Sequence, residues 1–111
     1  MLIISNKSGK QVIYAGTTEI GNDRDGDGEL IISNKSGKQV IYAGVGGTGS
    51  GSFIVSNNSG KGMIFAGADS ETGGYISVDN KTGESVVTLG VDDYGNGEVG
   101  AWNRKGKGRV W

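Results

Sequence analysis

The chain contains no cysteine, no histidine and no proline. Without cysteine there is neither a disulfide nor a thiolate metal site. Without histidine and cysteine, the commonest general base and the commonest thiol nucleophile are both missing. Ser and Lys do lie close together, as in Ser36 and Lys38, but the same neighbourhood recurs at every repeat turn. Catalytic pairs are not used in that way, and the expectation is that this is not an enzyme. No apolar run approaches the ~20 residues of a membrane helix, so no membrane insertion is expected. No basic segment leads into a long apolar run, so no secretory leader is expected either, and the location in the cell stays open. Eleven Lys and Arg stand against twelve Asp and Glu, a net charge of −1. That balance offers no field to draw in nucleic acid, and no nucleic-acid partner is expected. Helical periodicity is also absent.

Hydrophobic residues make up only 34% of the 111 positions, and 23 positions are glycine. Glycine loses more backbone freedom on ordering than any other residue. A short chain has little core to set against that loss. With disulfides excluded, association with other copies is the remaining device.

What the chain does have is a repeat. Leu2 to Gly16 reads LIISNKSGKQVIYAG and recurs letter for letter as Leu30 to Gly44. Looser copies follow at Phe53–Gly67, Ile76–Gly90 and Val99–Trp111. The turn asparagines Asn6, Asn34, Asn57, Asn80 and Asn103 are spaced by 28, 23, 23 and 23 residues. The chain is one domain made of five units, 1–29, 30–52, 53–75, 76–98 and 99–111. The identical copy marks either a recent gene duplication or an engineered sequence.

Each unit reads as a β-hairpin. Leu30-Ile-Ile-Ser33 and Gln39-Val-Ile-Tyr-Ala43 are β-prone runs separated by Asn34-Lys-Ser-Gly37. A type I turn followed by a left-handed residue asks for glycine there, and Gly9, Gly37, Gly60, Gly83 and Gly106 supply it. A second glycine closes each hairpin, and Gly-rich loops such as Val45–Ser52 then reverse the chain or turn a corner. Leu2, Leu30, Phe53, Ile76 and Val99 share one face with Ile4, Ile32, Val55, Val78 and Ala101. The opposite face carries Ile31, Val40, Tyr42, Ile54, Met63 and Phe65. Strands apolar on both faces need cover on both sides, and these six residues are the expected interface between copies.

Two architectures answer that need. One is a homotrimeric β-prism or intertwined β-fibre of five hairpin repeats of about 23 residues. The other is a single-chain β-solenoid. The recurring order of short strand, Asn-x-Ser/Thr-Gly-Lys, short strand, Gly and Gly-rich loop resembles the repetitive β-shaft segments of trimeric bacterial and phage fibre proteins. The likeness covers essentially the whole chain. It implies an extended, intertwined trimer and carries over no catalytic residue. The repeat is longer than that of the viral triple β-spiral, so that winding is not implied.

Three local patterns bear on ligands. Asp23, Asp25 and Asp27, followed by Gly28, resemble the opening of a calcium loop, where alternating oxygen ligands wrap a hard cation. The flanking helices and twelfth-position Glu of an EF-hand are missing. The aligned segment Thr48-Gly-Ser-Gly51 makes the same turn without carboxylates, so solvated turn residues are the simpler reading. Four Asn-x-Ser/Thr triplets, beginning at Asn6, Asn34, Asn57 and Asn80, match a glycosylation sequon, which turn chemistry explains equally well. Arg104, Lys105, Lys107 and Arg109 interleave with Trp102 and Trp111, a composition that can bind phosphates and stack on bases. It also suits the polar cap of an array, with Trp111 in the role of Tyr42. Lysines gather at the turn end of each unit and acids in the loops.

The expected function is therefore structural, a self-associating shaft or spacer. The first alternative is a module whose loops Thr17–Glu29, Ala68–Gly74 and Val91–Gly97 bind a surface glycan or receptor, with calcium as the candidate bridging ion. The second is an engineered repeat without a ligand.

Overall fold

The computed structural model describes residues 1–18 and 26–111. Ten strands follow one another: β1 Leu2–Ser5, β2 Gln11–Thr17, β3 Gly28–Ser33, β4 Gln39–Val45, β5 Gly51–Ser56, β6 Gly62–Asp69, β7 Gly73–Asp79, β8 Ser85–Val91, β9 Gly97–Trp102 and β10 Gly108–Val110. They form one open antiparallel sheet whose spatial order is the chain order, β1 to β10. The all-β expectation stands. The solenoid path does not, because a solenoid stacks successive coils in parallel, whereas here sequence neighbours pair antiparallel throughout. The outer edges of β1 and β10 have no partner strand within the sheet.

The turns explain why the strands reverse where they do. In the second unit the backbone N–H of Gly37 donates to the Asn34 carbonyl at 2.9 Å, and the Asn34 N–H donates to the Lys38 carbonyl at 2.9 Å. Gly37 has φ of 89°, in the left-handed region that a side chain resists. The Asn34 Oδ1 accepts from Ser36 N at 3.1 Å, Ser36 Oγ at 2.8 Å and Lys38 N at 3.1 Å. Asn57 does the same for Ser59 and Lys61. Replacing Asn57 with Ala removes one acceptor from three donors at the surface. The expected loss is about 1–2 kcal/mol, read as a lower urea midpoint at unchanged slope and fixed protein concentration.

Beyond four of these turns the ladder slips by one residue. Ser5, Ser33, Ser56 and Asp79 each face two residues on the next strand, a β-bulge that strengthens local twist. The bulged apolar residues are Val12, Val40, Met63 and Val86. In the last unit Arg109 stands in that place, and β9 and β10 pair without a bulge, Arg109 opposite Ala101 and Val110 opposite Gly100. A shift of one residue turns every side chain of a strand to the other face. Trp111, bonded to Val99 at the backbone, therefore lies on the face opposite to Tyr42. The expected equivalence of Trp111 and Tyr42 is overturned by the missing bulge.

The Gly-rich loops are mostly strand. Gly46 and Ser50 close a tight reversal at 2.8 Å, and Asp92 and Asn96 close another at 2.8 Å. Between β6 and β7 only residues 70–72 lie outside the ladder, with Asp69 paired to Gly73. The loops Ala68–Gly74 and Val91–Gly97 are thus short turns, exposed along most of their length, because the same turn-plus-glycine geometry is used at both ends of the strands. The loop Thr17–Glu29 falls largely outside the described residues.

Candidate functional site

No hydrophobic residue among those described is buried. A sheet of ten strands would normally cover at least one face, so the faces themselves are the candidate site.

The first face is aliphatic. Its first ladder runs Leu2, Ala15, Leu30, Ala43, Phe53, Ala66, Ile76, Leu89 and Val99 across β1 to β9. A second, one pleat along, runs Ile4, Ile13, Ile32, Ile41, Val55, Ile64, Val78, Val87 and Ala101. No charged or hydrogen-bonding side chain interrupts either ladder from β1 to β9. Most large members of the first ladder stand in solvent, Leu30 37% exposed, Phe53 41%, Ile76 40% and Leu89 41%, while Ile13, Ile32, Ile41, Val55 and Val78 of the second are half-buried. The alanines make low points between them, including a shallow hollow of about 350 Å³ beside Ala66, Gly74, Ile76 and Leu89.

The second face is different. Its central ladder is Ile3, Tyr14, Ile31, Tyr42, Ile54, Phe65, Ser77, Thr88 and Gly100. Polar residues Glu29, Ser33, Ser52, Ser56, Asp79 and Glu98 flank it at the strand ends. The rings lie down over glycines. A Cβ placed on Gly16 would meet the Tyr14 hydroxyl at 2.5 Å, and one on Gly44 would overlap the Tyr42 ring. Tyr75 covers Gly67 across the ladder, and Trp102 covers Gly100. Tyr14 fastens its ring by donating its hydroxyl proton to the Thr17 carbonyl at 3.2 Å. Ile31, Val40, Tyr42, Ile54, Met63 and Phe65, the residues expected at the interface, are half-buried here within the single chain. Ile31, Tyr42, Ile54 and Phe65 share one ladder, and Val40 and Met63 are the bulged residues beside it. That this face is partly covered by its own rings was not evident, although the aromatic-x-Gly spacing of Tyr14/Gly16 and Tyr42/Gly44 carried the signal.

The margins are charged by kind. At the turn margin the lysine after each of the turns at Gly9, Gly37 and Gly60 reaches the next turn: Lys10 lies by Gly37, Lys38 by Gly60 and Lys61 by Gly83. Asn34 Nδ2 donates to the Asn58 carbonyl at 3.0 Å, tying two turns directly. Glu84 breaks the lysine column. The Thr82 hydroxyl beside it is the main cause holding its carboxyl below the ordinary value, and Lys61 adds to that.

The opposite margin carries Asp69, Glu71, Asp92 and Asp93. Asp92 accepts from Asn96 N at 2.8 Å and Tyr94 N at 2.9 Å, repeating the asparagine's role with a carboxylate. The Asn96 backbone bond chiefly lowers its pKa from the ordinary 3.8. A carboxyl lowered on folding stabilises the fold above its unfolded pKa, and that contribution disappears as pH falls through the folded one. Asp92→Asn keeps an acceptor and loses the titration. Its melting temperature is expected to fall less steeply than the parent's as pH drops below the ordinary carboxylate value of 3.8. Parallel curves for the two proteins would refute the assignment.

Of the calcium candidates, Asp23 and Asp25 lie outside the described residues. Asp27 lies within them, its carbonyl accepting from Thr18 N at 2.8 Å. Among the described residues no three Asp, Glu, His or Cys side chains are grouped to hold a metal ion. The basic and aromatic residues of the last unit do not form one patch either. Trp102 faces the second side, by a hollow also lined by Glu84, Thr88 and Arg104. Arg109 lies on the first side with its guanidinium 5.0 Å from the Trp111 ring centre. Compared with known proteins, the chain matches no family model and no curated protein.

Proposed function

We propose that this chain is a structural, self-associating β-protein, the shaft or spacer of a fibre-like assembly, and that its working form is a homotrimer. The observation that carries this reading is the uncovered sheet: ten strands and no buried hydrophobic residue among those described. Exposed apolar area on that scale marks an association surface. Chains that cannot close a core alone gain it from copies of themselves.

A closed head-to-tail ring of copies is favoured by the margins, and the resemblance to trimeric fibre shafts sets the number at three. Lysines gather at one end of the strands, with only Asp79 and Glu84 among them, and acids predominate at the other. In a closed three-sided prism the basic margin of each wall meets the acidic margin of the next, and the rotation closes without leaving an open end. The resemblance to trimeric fibre shafts points the same way. No observation favours a loop-bound glycan or receptor, since the described loops are tight turns. Light scattering behind a sizing column tests the reading. A mass near three chains, stable on dilution, is the expected result, and a folded single chain would overturn it.

A further inference from the structure

We infer that the aliphatic face, the one carrying Leu30, Phe53, Ile64, Ile76 and Leu89, is the surface on which copies of this chain meet, while the ring-covered face stays in water. This rests on the self-association proposed above and says where it happens.

Four observations select that face and its occupant. The first is chemical. From β1 to β9 its two ladders present nothing but aliphatic side chains and Phe53. A glycan or a nucleic acid brings hydrogen-bonding groups that would lose water there and find no partner. The occupant must be apolar.

The second is spacing. The ladder Leu2, Ala15, Leu30, Ala43, Phe53, Ala66, Ile76 alternates large and small residues from strand to strand. Neighbouring strands lie ~4.8 Å apart, so knobs and sockets each recur about every 10 Å. A surface whose knobs fit those sockets has the same period, and this chain itself provides one. Interdigitated large and small residues are how facing layers reach interior packing density.

Area is the third. The molecule is 47 Å in its longest dimension. An aliphatic band two or three pleats wide, about 15–20 Å, therefore offers on the order of 800 Å² per copy, the size of one side of a standard stable interface.

The fourth is the contrast with the other face. Its rings already lie over Gly16, Gly44, Gly67 and Gly100, and its strand ends carry Glu29, Asp79 and Glu98. Burying that face against a copy would strand those carboxylates without counter-charges. It has the character of an outer wall.

The absence of cysteine makes the test direct. Single cysteines are placed on the aliphatic face as Ala43→Cys or Ala66→Cys, and on the ring-covered face as Ser52→Cys or Ser77→Cys. Each full-length variant is weighed by light scattering and then labelled with a water-soluble maleimide, native and in denaturant. The expected result is a parent oligomer in which the alanine-site thiols react about tenfold or more slowly than in the unfolded chain, while the serine-site thiols lose much less. An alanine-site variant that itself disperses the assembly, when the serine-site variants do not, also supports the inference. A parent that runs as a folded monomer removes the self-association reading and this inference with it. An oligomer with protected serine-site thiols and reactive alanine-site thiols keeps self-association and overturns the choice of face. An oligomer in which all four react alike overturns it too, and moves the contact to the open edges of β1 and β10.

Discussion

Ile41→Asp combined with Ile64→Asp is expected to disperse the assembly and unfold the chain in one step. Both residues belong to the second aliphatic ladder, Ile41 opposite Ile32 and Val55, Ile64 opposite Val55 and Val78. In an assembly that closes over this face, each aspartate becomes a carboxylate without a partner. An uncompensated buried charge costs about 3–5 kcal/mol, and two of them rival the whole stability of a small domain, ~5–15 kcal/mol. A protein with a private core would survive as a soluble folded monomer. This one has no such core among its described residues, so mass and β-signal are expected to fall together. The parent should show the matching property, a melting temperature that rises with protein concentration. A double variant that is monomeric yet keeps its β-sheet circular dichroism would break the link between folding and association.

Gly44→Val is the second large effect. The Cβ of any residue there would overlap the Tyr42 ring, whose Cζ lies 2.7 Å from the added atom. The backbone of β4 is ordinary at this point, so the cost is steric rather than conformational. Tyr42 must leave the sheet surface, lose its place beside Ile31 and Ile54, and expose the strand beneath it. Forced repacking of this kind costs about 1–3 kcal/mol. For a domain of this size, that is a fall in melting temperature of some 4–8 °C for each kcal/mol. The diagnostic is the pair. Tyr42→Ala removes the obstacle, so the combination with Gly44→Val should cost less than the sum of the single changes. Strict additivity would mean that the ring does not rest on this glycine.

Both predictions depend on features that the sequence revealed unequally. The turns were legible because their chemistry is local. Asn34 and Gly37 announce an Asx-capped type I turn and its left-handed residue, and four further copies repeat the message. The strand faces were legible from alternation. What alternation could not report is the bulge after the turn, since Lys38-Gln39-Val40 carries no signal that two residues will face Ser33. The bulge matters most where it is missing: without it, Arg109 and Trp111 change sides. The apolar content of both faces was also visible, but its meaning was not. A list of apolar positions treats Tyr42 and Leu30 alike, whereas a ring that can fold onto Gly44 hides itself and a leucine beside Ala15 and Ala43 cannot. The acid-rich first loop stays with the sequence alone for Asp23 and Asp25.

The meander order has a mechanical consequence. Its first and last strands sit at opposite edges of the sheet, and each strand is held only by its sequence neighbours. Tension applied between the two termini would load β1 and β10 broadside, and their ladders would open one bond pair at a time rather than in shear. A single chain should therefore peel strand by strand under small forces, each step returning readily because every loop to be re-closed, apart from the ten residues between β2 and β3, is short. Any resistance of a shaft to pulling has to come from neighbouring copies gripping the same face across several strands at once.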